Sequence, residues 1–261
     1  MDSLDPVLAA ARPIITLDGV TKAYGNGTVA LRDVNLSVGR AEFVSLLGPS
    51  GCGKSTLLRL IAGLGEVSQG RIGWPDGAER ARNLGFVFQE PTLMPWATVF
   101  DNVYLPLKLQ HLSRGEATPR VMAALAQVGL ENFARAYPRE LSGGMKMRVS
   151  IARGLITNPS VLLMDEPFAA LDEITRFRLN DDLLSMWAGQ NWTVIFVTHS
   201  VYESVYLSNR IIVMGARPGR ITDDIQITEP YPRGEDFRLT SAYNDYCRHV
   251  SAALHATMEG A

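Results

Sequence analysis

Little in this sequence is extreme, and what it has little of excludes more than what it has in plenty. Only two cysteines occur among 261 residues, Cys52 inside a glycine-rich loop and Cys247 near the far end. Neither the count nor the placement fits a disulfide scaffold, so a reducing compartment is expected. Net charge is scarce too: 25 basic residues stand against 27 acidic ones, for a formal charge of -2. That leaves no overall basic footprint for nucleic acid or an anionic membrane, and no nucleic-acid partner is expected. Histidine is limited to four residues, and no zinc-ligand spacing appears. Long apolar runs are missing. The most apolar stretch, around residues 161–164, is bounded by Pro159 and Asp165 and falls far short of the roughly 20 residues needed to cross a bilayer. The opening MDSLDPVLAAARP carries acidic groups where an export signal needs positive charge, so none is expected. No internal repeat or low-complexity tract interrupts the chain. The remainder, 46% hydrophobic and 20% charged, is globular in composition. A chain of this length buries roughly 70–75% of its extended surface, enough for one large domain or two modest ones.

Short β-favouring runs come first, at residues 14–17, 29–31, 34–38 and 42–47, separated by Gly25, Gly27 and Gly39. Residues 54–62 read as a helix with Leu57, Leu58 and Ile61 on one face, ended by Gly63. From Val99 to about Pro159 the pattern turns helical: VFDNVYLPLKLQHL, expected to break at Pro106, then PRVMAALAQVGL with Pro119 in its first turn, then GGMKMRVSIARGL. Strand runs at 161–164, 193–198 and 210–214 then alternate with helices at about 173–188 and 201–207, the spacing of a parallel α/β unit. The tail from Gly219 is read as a strand pair in RITDDIQI, a turn at Pro230 and Pro232, and a last helix over about 239–258.

Chemistry concentrates in a few places. Gly48-Pro49-Ser50-Gly51-Cys52-Gly53-Lys54-Ser55-Thr56 satisfies the phosphate-loop pattern and lies between a strand, FVSLL, and an apolar-faced helix. Its glycines let successive backbone N–H groups face a phosphate, the helix N-terminus adds partial positive charge, Lys54 reaches the β and γ oxygens, and Ser55 serves Mg²⁺. Cys52 reads as a passive position in that loop. The buried strand VLLM ends in Asp165 and Glu166, at the sheet edge where α/β proteins bind ligands. Asp165 is placed to hold Mg²⁺ and Glu166 to polarise an attacking water. Leu141-Ser142-Gly143-Gly144-Met145 opens a helix, with Ser142 as a cap and the glycines exposing N–H groups to an anion; alone it is an ordinary helix start, and its weight comes from the combination. His199 follows the strand WTVIFVT and is expected at the same edge as Lys54 and Asp165. Gln89, after LGFVF, is likewise at a strand end, with an amide for Mg²⁺ or water.

Together these segments resemble the nucleotide-binding subunit of an ABC transporter over residues 14 to 220. The resemblance implies an α/β P-loop NTPase cassette with a RecA-like core, an N-terminal antiparallel β layer and a helical subdomain. Its division would be 14–98 and 159–220 for the strand-rich layer and catalytic core, 99–158 for the helical subdomain with the signature motif, and 221–261 for a C-terminal extension. By residue, it implies Tyr24 stacked on adenine, residues 48–56 as the Walker A loop, Gln89 as the Q-loop glutamine, residues 141–145 as the signature and Asp165 as the Walker B aspartate. Glu166 would be the catalytic glutamate, Asp172 the D-loop aspartate and His199 the switch histidine. ATP and Mg²⁺ are the implied ligands. A head-to-tail dimer is implied, in which Ser142 and Gly144 serve the partner's nucleotide, together with two transmembrane permease subunits and a periplasmic or lipid-anchored solute-binding protein. Such a subunit works peripherally at the cytoplasmic face of a bacterial inner membrane.

QEPTLMPWATVFDNVYLPL and SNRIIVMGARPGRI are similar to the nitrate, sulfonate and taurine import group, which also includes importers of aromatic and pyrimidine compounds. That similarity implies Glu90, Met94, Pro95 and Trp96 near the surface that meets the permease. The chain departs from the common pattern at Lys146-Met147-Arg148 after the signature, at Ala169 opening the D-loop, and at Ser200 after the switch histidine; none removes a catalytic group. The competing reading is a soluble ABC ATPase of DNA repair or translation. Repair forms need a long coiled coil between the phosphate loop and the signature, and no heptad run lies between Lys54 and Arg139. Translation forms need two cassettes.

Overall fold

The computed structural model describes residues 13–75, 83–188, 190 and 192–259. The chain begins β1 (Ile15–Ala23), β2 (Val29–Val38), β3 (Phe43–Leu47), α1 (Lys54–Ile61), β4 (Gln69–Gly73) and β5 (Leu84–Val87). Three helices follow, α2 (Val99–Leu109), α3 (Arg114–Gln127) and α4 (Gly143–Leu155). The chain then runs β6 (Val161–Asp165), α5 (Glu173–Ala188), β7 (Thr193–Thr198), α6 (Val201–Leu207), β8 (Arg210–Gly215), β9 (Arg220–Gln226) and α7 (Ser241–Glu259).

A six-stranded sheet, ordered β5-β6-β7-β3-β8-β9, is parallel except for β9, which returns antiparallel along β8. Its central strands are apolar almost throughout because both faces are covered. Side chains alternate between the two sides. Phe43, Leu47, Leu162, Met164, Val194, Phe196, Ile211 and Val213 enter a core built with α4, α5, α6 and α7. Val44, Leu46, Val161, Leu163, Ile195, Val197, Ile212 and Met214 enter a second core with α1 and an antiparallel sheet ordered β2-β1-β4. Each such side chain contributes about 1.5–3 kcal/mol of burial free energy. A third core, from Val99, Val103, Leu107, Val121, Leu125, Val149 and Ile156, holds α2, α3 and α4 together.

Five details depart from the sequence expectations. Residues 29–38 form one strand rather than two, shifting register against β1. Pro106 sits inside α2 without ending it: one backbone bond is lost, but buried Val103, Tyr104 and Leu107 keep the apolar face packed. Helix α3 starts at Arg114, where Ser113 and Glu116 form a reciprocal capping box, so Pro119 lies beyond the first turn. RITDDIQI holds a single strand, β9, whose partner is β8. A further strand, β4, has no counterpart in the expectations: QGRIG is exposed or half-buried and glycine-rich, and at Gly70, φ 78, a Cβ would stand 2.4 Å from Asp18 O.

The tail braces the helix that follows His199. Arg233, 6% exposed, donates through Nη1 to the carbonyls of Val205 (3.0 Å), Tyr206 (3.2 Å) and Ser208 (2.8 Å), and through Nη2 to Glu229 (2.8 Å). Its guanidinium lies over the rings of Tyr231 and Phe237, and the Tyr231 hydroxyl donates to Leu207 O at 2.8 Å. These bonds satisfy the carbonyls that a helix end leaves open. Arg233→Leu leaves them unpaired in the interior. A loss of about 3 kcal/mol is expected, lowering the thermal midpoint by roughly 6–12 °C; an unchanged melting curve would contradict this account.

Candidate nucleotide site

Four loops emerge at the carboxyl ends of parallel strands: residues 48–53 after β3, Asp165 and Glu166 at β6, His199 after β7, and Gln89 after β5. The first requires its glycines. Gly51 and Gly53 have φ of 79 and 95, and a Cβ on Gly48 would stand 2.6 Å from Met214 O. Gly53 is the N-cap of α1, so the free N–H groups of the first turn face the cleft. Ser50, Gly51, Gly53, Lys54, Ser55 and Thr56 line that cleft, whose volume is ≈ 610 Å³. Cys52 instead turns its buried side chain into the core, and burial pushes its thiol pKa up; only its backbone belongs to the loop.

Lys54, 4% exposed, donates to Gly48 O at 2.7 Å and Pro49 O at 3.1 Å, with its Nζ 3.7 Å from Glu166 Oε1. Ser55 Oγ donates to Asp165 Oδ1 at 2.6 Å. Burial pushes the Asp165 carboxyl above its ordinary pKa, with the Ser55 hydrogen bond opposing the shift. Glu166 has φ 44, a left-handed backbone that costs a glutamate about 1–2 kcal/mol. Its N–H donates to Val197 O at 3.1 Å, and its carboxylate faces Lys54 on one side and His199 Nδ1, at 3.3 Å, on the other. Strain of this kind is kept where the surrounding structure fixes a side chain for use. His199 is half-exposed. Tyr24 lies across the loop, its hydroxyl 3.5 Å from Thr56 Oγ1, with an exposed ring.

The donor set fits Mg²⁺ and a polyphosphate. A hydroxyl and a carboxylate 2.6 Å apart are hard oxygen donors of the kind Mg²⁺ takes, and the glycine loop with a lysine at a helix N-terminus is a phosphate cradle.

The other expected residues lie apart from this cluster. Gln89 is exposed beyond β5, and among the described residues it makes no hydrogen bond to the group. Ser142 caps α4 by accepting from Met145 N at 3.3 Å, with Gly143 exposed beside it. Gly144 is buried, and its missing Cβ would meet Thr175 Cγ2 at 2.7 Å; neither glycine lines the Lys54 cleft. Asp172 is exposed and accepts from Thr175 N at 2.9 Å at the start of α5, and these backbone donors hold its carboxyl pKa down. Trp96 is 77% exposed on a loop fixed from below: buried Asn102 exchanges hydrogen bonds with Met94 and donates to Ala97 O and Thr98 O.

Sequence reasoning missed the far wall of the cleft, made by Thr28, Val29, Ala30, Arg217 and Pro218. The Ala-Arg-Pro-Gly run was a visible turn signal, but nothing in it foretold which residues it meets. Gly219 makes that join: its N–H donates to Ala30 O at 3.0 Å.

An ABC transporter family profile matches residues 31–169. The chain is 47% identical over 225 residues to an uncharacterized ABC transporter ATP-binding protein of Methanocaldococcus jannaschii, the match covering 84% of each chain. It is 46% identical over 217 residues to an aliphatic sulfonates import ATP-binding protein of Bacillus licheniformis, covering 81% of this chain and 84% of that one. Among solved structures, a dimeric post-hydrolysis ATP-binding cassette bound to ADP and Pi matches with a TM-score of 0.72 at 33% identity, covering 83% of this chain and 100% of the other. The cassette cbiO1 of Clostridium perfringens, part of an ABC transporter complex, matches at 0.76 and 28% identity, covering 92% and 99%. The family profile spans more than half of the chain and the relatives match it along most of its length, so the chain belongs to the ABC transporter ATP-binding family, related to its sulfonate-import ATPases.

Proposed function

We propose that this chain is the ATP-hydrolysing subunit of a bacterial ABC importer, working as one nucleotide-binding domain at the cytoplasmic face of the membrane. The observation that carries the reading is the placement of Glu166 between Lys54 and His199, directly beside the Ser55–Asp165 pair. Backbone N–H groups of residues 50–56 and the Lys54 ammonium hold the phosphates, the Tyr24 ring meets adenine, and Ser55, Asp165 and Gln89 serve Mg²⁺. When bound, the metal neutralises charge on the transferring phosphoryl group. Glu166 takes the proton of the attacking water, and His199 orients that carboxylate and the γ-phosphate edge.

Each chain carries two phosphate-binding features, and the signature at Ser142, Gly143 and Gly144 lies outside the Lys54 cleft. This supports a head-to-tail dimer in which each signature, with Asp172 beside it, closes on the partner's ATP. The helical subdomain, residues 99–158, then moves with the Q-loop: Arg153 of α4 donates to Pro91 O and Thr92 O at 2.8 and 2.9 Å. Exposed Trp96 supplies an apolar contact for two permease subunits, which a solute-binding protein would serve from outside. Among the described residues no helix is long and apolar enough to cross a membrane, so the pore has to come from such partners. Relatives named as aliphatic sulfonates import proteins support a small solute of the nitrate, sulfonate, taurine or aromatic class.

Ser142→Arg separates the two phosphate sites. ATP titration of the isolated variant should match the parent, while ATP-dependent dimerisation in sedimentation should be lost. A variant that still dimerises would remove the head-to-tail reading.

A further inference from the structure

The buried carboxylate of Glu203 lies outside the roles given so far. It is 8% exposed at the start of α6, and both residues flanking His199 are tied to it. Thr198 Oγ1 donates to Glu203 Oε2 at 2.5 Å, and Ser200 Oγ accepts from Glu203 N at 3.3 Å. Ser200 N also donates to Thr198 Oγ1 at 3.0 Å, which closes a ring of bonds around the His199 turn. A histidine whose ring is half-exposed has few side-chain contacts to hold it, so its backbone turn has to set its direction.

The second oxygen of the same carboxylate faces another element. Arg176 Nε of α5 is 3.7 Å from Glu203 Oε1, beyond hydrogen-bond reach, and neither of these two buried atoms has a hydrogen-bond partner among the described residues. Arg176 in turn holds the loop before α5: its Nη2 donates to Leu171 O at 3.0 Å and its N–H to Asp172 O at 2.9 Å. Leu171 and Thr175 are the side chains packed against Gly143 and Gly144, respectively. A continuous chain of contacts therefore runs from the signature glycines through Leu171 and Thr175 to Arg176, Glu203, Thr198 and His199.

We propose that Glu203 is a positioning residue for His199, fixing its turn through Thr198 and tying it through Arg176 to the Leu171–Asp172 loop and the signature. The open Arg176–Glu203 pair is the movable joint. A shift of about 0.8–1 Å at the start of α5 brings Nε and Oε1 from 3.7 Å into a charge-assisted hydrogen bond, and the carboxylate carries that shift to the His199 turn. Burial raises the cost of leaving both charges half-paired, which favours two discrete arrangements over a continuum. The inference rests on the proposed ATPase reading, because it assigns His199 a part in hydrolysis.

The test is steady-state ATPase kinetics on the full chain, with thermal melts alongside. Thr198→Val keeps the shape and removes the donor; kcat is expected to fall about tenfold or more, since sub-ångström misplacement has effects of that order, with KM for ATP within about twofold. Thr198→Ser restores the donor and should restore the rate. Glu203→Gln keeps an acceptor for Thr198 but loses the charge facing Arg176; its kcat should also fall, and adding Arg176→Gln should cost less than Arg176→Gln costs in the parent, the remainder being its bond to Leu171 O. A parental kcat in Thr198→Val, additive losses in the Glu203–Arg176 pair, or rate losses that merely follow lowered melting would overturn the inference. A parent chain without ATPase activity overturns the functional reading along with it, whereas an active parent with an indifferent Thr198→Val overturns this inference alone.

Discussion

Glu166→Gln is expected to bind ATP as the parent does and to hydrolyse it at least about 100-fold more slowly, the low end of what general-base removal costs. Glutamine copies the shape of the side chain, so the backbone turn at φ 44 and the N–H bond to Val197 O persist. What disappears is a group that accepts a proton while facing both the Lys54 ammonium and the His199 imidazole. Asp165 does not substitute: its Oδ1 is taken by the Ser55 hydroxyl. The variant should therefore accumulate as an ATP-bound dimer, seen by sedimentation and by retained nucleotide. Near-parental turnover would remove Glu166 from the role of base.

Lys54→Ala should act earlier, on binding. The ammonium is the cation at the bottom of the cleft, buried and directed by the Gly48 and Pro49 carbonyls, so its charge meets a phosphate in a poorly screened place. Its loss should weaken ATP binding about 100-fold, equivalent to ~2.7 kcal/mol, read by equilibrium titration of labelled nucleotide. Backbone N–H groups of the loop remain, so some affinity persists. Unchanged affinity would mean that Lys54 does not touch the phosphates.

Much of the fold was legible because its signals are local. Helices at 143–155, 173–188 and 201–207 begin at side chains that cap them, Ser142, Asp172 and Ser200, and the central strands are too apolar to lie anywhere but in a two-sided core. The Ser113–Glu116 box was equally local, and Pro119 drew attention away from it. Strand β4 was hidden because its sequence, QGRIG, lacks β-branched or aromatic side chains apart from Ile72 and is held by pairing to β1. The site divides in the same way. Lys54, Ser55, Asp165, Glu166 and His199 sit next to strand ends, where position alone suggests a role. Gly219 against Ala30, and Arg176 against Glu203, meet only after folding, and no spacing in the sequence announces such pairs.

The bonds from Arg233 to the end of α6 also have a bearing on synthesis. The Lys54 cleft is lined by residues up to Pro218, all made before Arg233. At roughly 5–20 residues per second, Arg233 is added about one to three seconds after Pro218. During that interval the phosphate cradle has all its parts, while the carbonyls of Val205, Tyr206 and Ser208 still face water. A nascent chain thus completes the glycine loop and the far wall of its cleft before the helix behind its histidine is secured by Arg233.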